Sequence, residues 1–313
     1  MAYASVHGTT LLDRRLYLPE TWVSDRAFAE RRRKCRVPTD VAFQTKPALA
    51  LAMIQAIIAQ GRLRCRWGLA DEAFGRDTDW LDALADLGLW YRVEVPLTTH
   101  VWMPHTDAAQ SITTLVDTIP AEAWEEQTIG SGSKGRRIAH AVIQRVHAMR
   151  RGVCGPAVWV VLRIDPESGE RKAFLSNAPA EVEPQIVLQM TGMRWPVEHI
   201  FEVAKQELGM GDYEVRGWRG WHHHMTLVIL AHFFLVRLQR RLKKSPSQTR
   251  LLLITLLPLP QPSLARTIEL IHSYQHRAAA ACASHSRRTE AWIANMHEVV
   301  EPGYRVIAPP IRA

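Results

Sequence analysis

Apolar positions recur at helical spacing in residues 46–60, where Ala50, Leu51, Ile54, Ile57 and Ile58 share one side, the pattern of an amphipathic helix. Thr45 and Pro47 suit its first turn and Gly61 its stop. Residues 63–70, ending in WGLA, read as a buried strand. Residues 78–87 place Trp80, Leu81, Leu84 and Leu87 on one helical face before Gly88, and residues 89–95 return to a strand. Strand and helix alternating in this way outline an α/β sheet. Earlier, residues 11–18 (LLDRRLYL) alternate imperfectly up to Pro19 and predict a further strand.

From residue 96 to about 183 the periodicity becomes short and strand-like at 99–103, 157–164 and 171–175, with Ser168 and Gly169 suited to a hairpin turn. One helix is expected over 137–150. The pattern predicts a mostly β insertion in the α/β core. Residues 225–242 are expected to form an apolar helix with a basic end, residues 245–263 a proline-bearing tether, and residues 264–296 one or two helices before a loose tail.

The densest chemistry lies in residues 193–233, which begin MRWPVEHIFEVAK. Arg194, Glu198 and Lys205 follow one another at offsets of four and seven residues, which return to nearly one azimuth on a helix. Taken alone, that is an exposed face with an ion pair, a feature of many helices. Pro196 suits a first turn but pushes Trp195 out of the αR region, so Arg194 stands at the edge of the regular helix. His222, His223 and His224 are consecutive and point about 100° apart, so they do not make a zinc site. Trp218 and Trp221 are read as packing residues.

Composition adds a partner class. Lys and Arg total 39 against 31 Asp and Glu, a net charge of +8, which favours a polyanion. Residues 31–36 (RRRKCR) hold five cations, read equally as a solvated run or a phosphate-contacting patch. Residues 130–137 (GSGSKGRR) combine small residues with Lys134, Arg136 and Arg137; they suit phosphate contact but lack the Gly-Lys-Ser/Thr of a P-loop. Cys35, Cys65, Cys154 and Cys282 form no C-x-x-C pair, so neither a zinc ribbon nor a disulfide framework is written here. No signal pattern opens the sequence and no apolar run is long enough to span a bilayer. A cytoplasmic protein is expected, with no membrane partner.

Arg194, Glu198 and Lys205 resemble the Tyr-x2-Arg-x3-Glu-x6-Lys signature that carries the third acid of the acidic-triad (DDE) transposases of bacterial insertion sequences. Thr191 stands at the tyrosine position. The continuation GMGDYEVRGWRGWHHHMTL is similar to one branch of that family, and Asp71, in ADEAFG at the end of a predicted strand, matches its second acid. Glu72 alternates away and is the weaker candidate. The resemblance implies a ribonuclease-H-like core in residues 1–96 and 186–244, interrupted by the β insertion of 97–185 and followed by a helical region, 245–313. It implies DNA as partner, a nucleoid-associated location, a possible homodimer in a transposon-end complex, and two Mg²⁺ ions held by carboxylates about 3.5 to 4 Å apart. Asp71 and Glu198 would be metal ligands and catalytic acids; Arg194, Lys205, Lys134, Arg136 and Arg137 would contact DNA.

The first acid of that family lies on the first core strand, whereas residues 3–19 resemble its second and third strands. Asp13, the only acid before Glu20, matches a structural run. The expectation is therefore a core incomplete at its amino terminus, an amino-terminally truncated transposase whose sheet lacks an interior strand and whose cutting is impaired. The alternatives are a non-catalytic DNA-binding fragment that interferes with a full-length copy, and a generic basic α/β protein.

Overall fold

The structure, a computed structural model, describes residues 1–5, 8–104, 106–132, 135–193, 195–242 and 306–308. The chain opens with a hairpin, β1 (Ala2–Ser5) and β2 (Gly8–Leu11), then passes through α1 (Glu20–Ser24) and α2 (Ala29–Lys34) to α3 (Lys46–Ala59). It continues with β3 (Trp67–Ala70), α4 (Glu72–Gly75), α5 (Thr78–Asp86), β4 (Trp90–Val95), β5 (His100–Trp102), β6 (Ala109–Ser111) and α6 (Ile112–Thr118). Four longer strands or hairpin arms follow: β7 (Glu125–Gly132), β8 (Gly135–Arg150), β9 (Val153–Ile164) and β10 (Arg171–Ser176). Then come α7 (Pro184–Gly192), α8 (Trp195–Glu207), α9 (Trp218–Leu242) and β11 (Val306–Ala308).

All these strands join one sheet, in the order β2-β1-β11-β3-β4-β10-β9-β8-β5-β6, with β7 on β8. β3 runs parallel to β4, and β10, β9 and β8 continue outward antiparallel. Alternation decides the faces. Tyr91, Val93 and Val95 of β4, with Val158, Val160 and Leu162 of β9, meet α3, α5 and α6 in one core. Trp67 and Leu69 of β3, with Trp159 and Val161 of β9, meet α7, α8 and α9 in the other. Strands covered on both faces read as continuous apolar runs, as VWVVL does in β9. The result is a mixed α/β architecture with helices on both sides of a mostly antiparallel sheet.

Local signals explain the helices that the sequence predicts. Thr45 caps α3 by accepting from the Ala48 N–H at 3.2 Å, and Asp77 caps α5 by accepting from Trp80 N–H at 3.0 Å. Both are side-chain caps of amide groups that have no partner within the helix.

Three expectations are corrected. Residues 137–150 are not a helix but most of β8: Ala139 and Ala141 face one core, Val146 and Ala148 the other. That period of two, rich in β-branched residues, wins once β7 and β9 pair with it on either side. The strand expected over 11–18 lies earlier, in β1 and β2. Asp13, Arg14 and Arg15 break the alternation and bond one another instead, while Arg14 reaches Thr226 of α9 at 2.6 Å.

The third correction concerns the interior of the sheet. β1 and β3 do not pair directly; Val306–Ala308, expected as loose tail, lies between them, antiparallel to β1 and parallel to β3. Residues 306–308 are thus a strand inside the sheet rather than loose tail. The tether of 245–263 and the helices of 264–296 lie outside the described residues.

Candidate functional site

Asp71 leaves β3 at its carboxyl end, the rim of the sheet where α/β folds gather ligands. Its carboxylate caps α4 by accepting from Ala73 N–H at 3.1 Å, and its carbonyl accepts from Phe74 and Gly75, both at 3.1 Å. The capping role open to any strand-end aspartate is thus realised. It uses Oδ1, and the residue stays half-buried. Gly75 lets this turn lie against β4, since a Cβ there would stand 2.1 Å from the Glu94 carbonyl oxygen. Glu72 turns to Arg76 in an i, i+4 ion pair at the surface.

Glu198 lies in the first turn of α8, on its exposed side, and Lys205 follows on the exposed side two turns later. The opposite side, with Val197, Ile200 and Ala204, is buried against the sheet, which fixes the direction in which Glu198 points. Arg194 lies outside the described residues, as does Lys134. Between α8 and α9, His232 is 4% exposed, with its Nδ1 unpartnered among the described residues. Burial, helped by the charge of His199, pushes its pKa down to about 4.

The supports of these residues converge. Arg92, on the face of β4 that meets α7, donates from Nε to the Met190 carbonyl at 3.0 Å and from Nη1 to the Ala70 carbonyl at 3.4 Å. Arg163 of β9 donates from Nη1 to the Thr191 carbonyl at 3.1 Å and to its hydroxyl at 2.8 Å. Both guanidinium groups lie against the Phe174 ring, 5.4 and 5.3 Å from its centroid. Such cation–π contacts are worth about 0.5 to 2 kcal/mol each. Burial lowers the pKa of Arg163 to about 10, and the positive charge of Arg137 adds to the effect. Glu94, beside them, is 3.9 Å from Lys172.

The basic hairpin is brought to the same place. A Cβ on Gly192 would stand 1.8 Å from the Ile129 carbonyl oxygen, so β7 presses on the end of α7 where only glycine fits. Arg136 and Arg137, exposed on β8, pair with Ser131 and Gly130 across the hairpin. The carboxyl end of β3, the end of α7 and the start of β8 are therefore one neighbourhood. α8, with Glu198, begins directly beyond it.

Arg92, Arg163 and Phe174, which brace the ends of β3 and α7, are residues that sequence reasoning passed over. The signal was present in WYRVEV, where alternation puts Arg92 on a covered face between Trp90 and Glu94.

The donors among the described residues do not by themselves make up a site for two Mg²⁺ ions. Among the described residues no three His, Cys, Asp or Glu side chains gather where they could hold a metal, and one Asp71 oxygen is engaged in its cap. The adjacent histidines diverge: His224 faces the Gly209 carbonyl at 2.9 Å, His222 packs between Trp218 and Trp221, and His223 is exposed. No helix among the described residues is long and apolar enough to cross a membrane.

Residues 1–115 match a family described as DDE superfamily endonuclease. The match covers the hairpin β1–β2, the β3–α4 turn with Asp71, and β4 with Arg92, and it supports a DDE-type nuclease domain with DNA as substrate. No curated protein matches the chain.

Proposed function

We propose that the chain is a DDE transposase of the insertion-sequence, cut-and-paste type, built on a ribonuclease-H-like core in 1–96 and 186–244 with 97–185 inserted. Its reaction class is phosphodiester hydrolysis and strand transfer at transposon ends. Asp71 and Glu198 are its acids; Arg194 and Lys205 on one side and Lys134, Arg136 and Arg137 on the other grip DNA phosphates, and a homodimer brings two ends together. The observation that carries this reading is the bond from Arg92 to the carbonyl just before Asp71 and to the end of α7, which leads into Glu198.

In this reading Mg²⁺ is the cofactor, because phosphoryl oxygens and carboxylates both suit a hard cation. Two ions need more carboxylate than Asp71 and Glu198 supply, so this chain by itself cuts poorly. That shortage favours a second reading: a DNA-binding chain that competes with a complete transposase at the nucleoid.

The test is nicking of labelled linear and supercoiled DNA in Mg²⁺ and Mn²⁺, beside Glu198→Gln. Cutting lost in the variant supports the enzyme. A gel shift without cutting in either supports the competitor, and the absence of both defeats the proposal.

A further inference from the structure

The geometry points to Arg92 as the positioning residue that sets the spacing between Asp71 and Glu198; this inference rests on the reading of those two carboxylates as partners. Three observations carry it. First, one guanidinium bridges two carbonyls from distant parts of the chain, Ala70 and Met190. Ala70 is the last residue of β3, directly before Asp71, and Met190 lies in the last turn of α7, directly before the junction to α8. Both carbonyls belong to the ends of elements, where the backbone has spare acceptor capacity.

Second, Arg92 is 4% exposed, so the bridge forms away from water. A buried charge is kept only where its donors are well used. Here the charge meets the negative end of α7, where carbonyls accumulate. Arg163 repeats the contact one residue later, at Thr191, and shares the Phe174 ring. The two arginines thus grip successive carbonyls of the same helix end from neighbouring positions on the sheet.

Third, the choice of arginine is specific. A guanidinium offers several donors in a fixed plane, so Nε and Nη1 reach two acceptors at once; a lysine ammonium is a single point at the end of a flexible stem. Lysine would hold one carbonyl and release the other. The bridge joins the strand end that carries one acid to the helix end that leads to the other.

The test reads spacing directly and needs neither metal nor cutting. In the full chain with Cys35, Cys65, Cys154 and Cys282 replaced by Ser, spin labels are placed at Asp71→Cys and Glu198→Cys, and a control pair at Asp86→Cys and Glu167→Cys. Pulsed dipolar spectroscopy gives both distance distributions, with Arg92 intact, Arg92→Lys and Arg92→Met. The expected result is a 71–198 distribution that shifts and broadens in Arg92→Met, is intermediate in Arg92→Lys, and is accompanied by no change at 86–167. An unchanged 71–198 distribution in Arg92→Met overturns the inference, as does equal broadening of both pairs, which marks general loosening. Should Arg92→Met fail to fold by circular dichroism, Arg92→Lys decides by the same criterion. Nicking by Asp71→Asn and Glu198→Gln is read separately: if the parent chain nicks DNA and neither substitution lowers that nicking, the carboxylate assignment fails while the distances still judge Arg92.

Discussion

Gly192, the last residue of α7, lies so close to the Ile129 carbonyl oxygen that a Cβ would come within 1.8 Å of it. The neighbour is backbone, at the bulge of β7 between Thr128 and Gly130, which are both paired to β8, and not the far end of a flexible side chain. Gly192→Ala is expected to cost about 1 to 3 kcal/mol, the range for forcing extra atoms into a packed site, and to push the basic hairpin away from the start of α8. Urea unfolding measures the first effect; a weaker DNA shift at unchanged ionic strength reports the second. An unaltered midpoint would mean that the hairpin sits farther from α7.

Acid sensitivity should trace to His232. Its folded pKa is depressed to about 4, against about 6.5 in an unfolded chain. Between those values the unfolded chain binds the proton and the folded one resists it. Stability is therefore full above about pH 6.5 and is lost as the pH falls towards 4, by an amount up to about 3 kcal/mol. His232→Leu should flatten the stability profile in that window. A profile that stays equally steep would place the acid-labile group elsewhere.

Much of this architecture could be read in advance, and the exceptions have particular causes. The helix α3 was legible because a cap, a first-turn proline, a helical stripe and a stop agreed. β8 was not: Ile138, Val142 and Ile143 also satisfy a helical pattern, and only its pairing with β7 and β9 decides. Asp71 was legible as a strand-end acid, but its cap bond to Ala73 depends on how the chain turns into α4. The Arg92 bridge was not legible, because Ala70 and Met190 lie far apart in sequence. The place of Val306–Ala308 in the sheet had no local signal, since three apolar residues between Arg305 and a pair of prolines fit any loop.

DNA binding should be strongly dependent on salt, and the hairpin should carry part of that dependence. Each phosphate neutralised releases counterions and adds about 0.9 to the slope of log K against log salt. Replacing Arg136 and Arg137 by Ala is expected to lower that slope by about 2 if both meet phosphate. Fluorescence anisotropy over a salt series measures it. Weaker binding with an unchanged slope would assign the two arginines to structure instead.

The bond between the first and last strands can be tested through its backbone. Ile307→Pro removes an N–H from a strand paired on both sides, where proline costs about 3 kcal/mol or more. The urea midpoint should fall accordingly, and limited proteolysis should open the chain near β1. Equal stability would mean that Val306–Ala308 contributes nothing to the sheet.

That strand also dictates an order of events at the ribosome. Residues 71–305 are synthesised between β3 and the segment that joins it to β1, so both edges stay uncovered while those residues are being made. Such edges invite pairing with other nascent chains, and closing contacts this distant in sequence is slow. Yield of the native protein in the cell should accordingly depend on holdase chaperones and on translation speed more than on the stability of the finished fold.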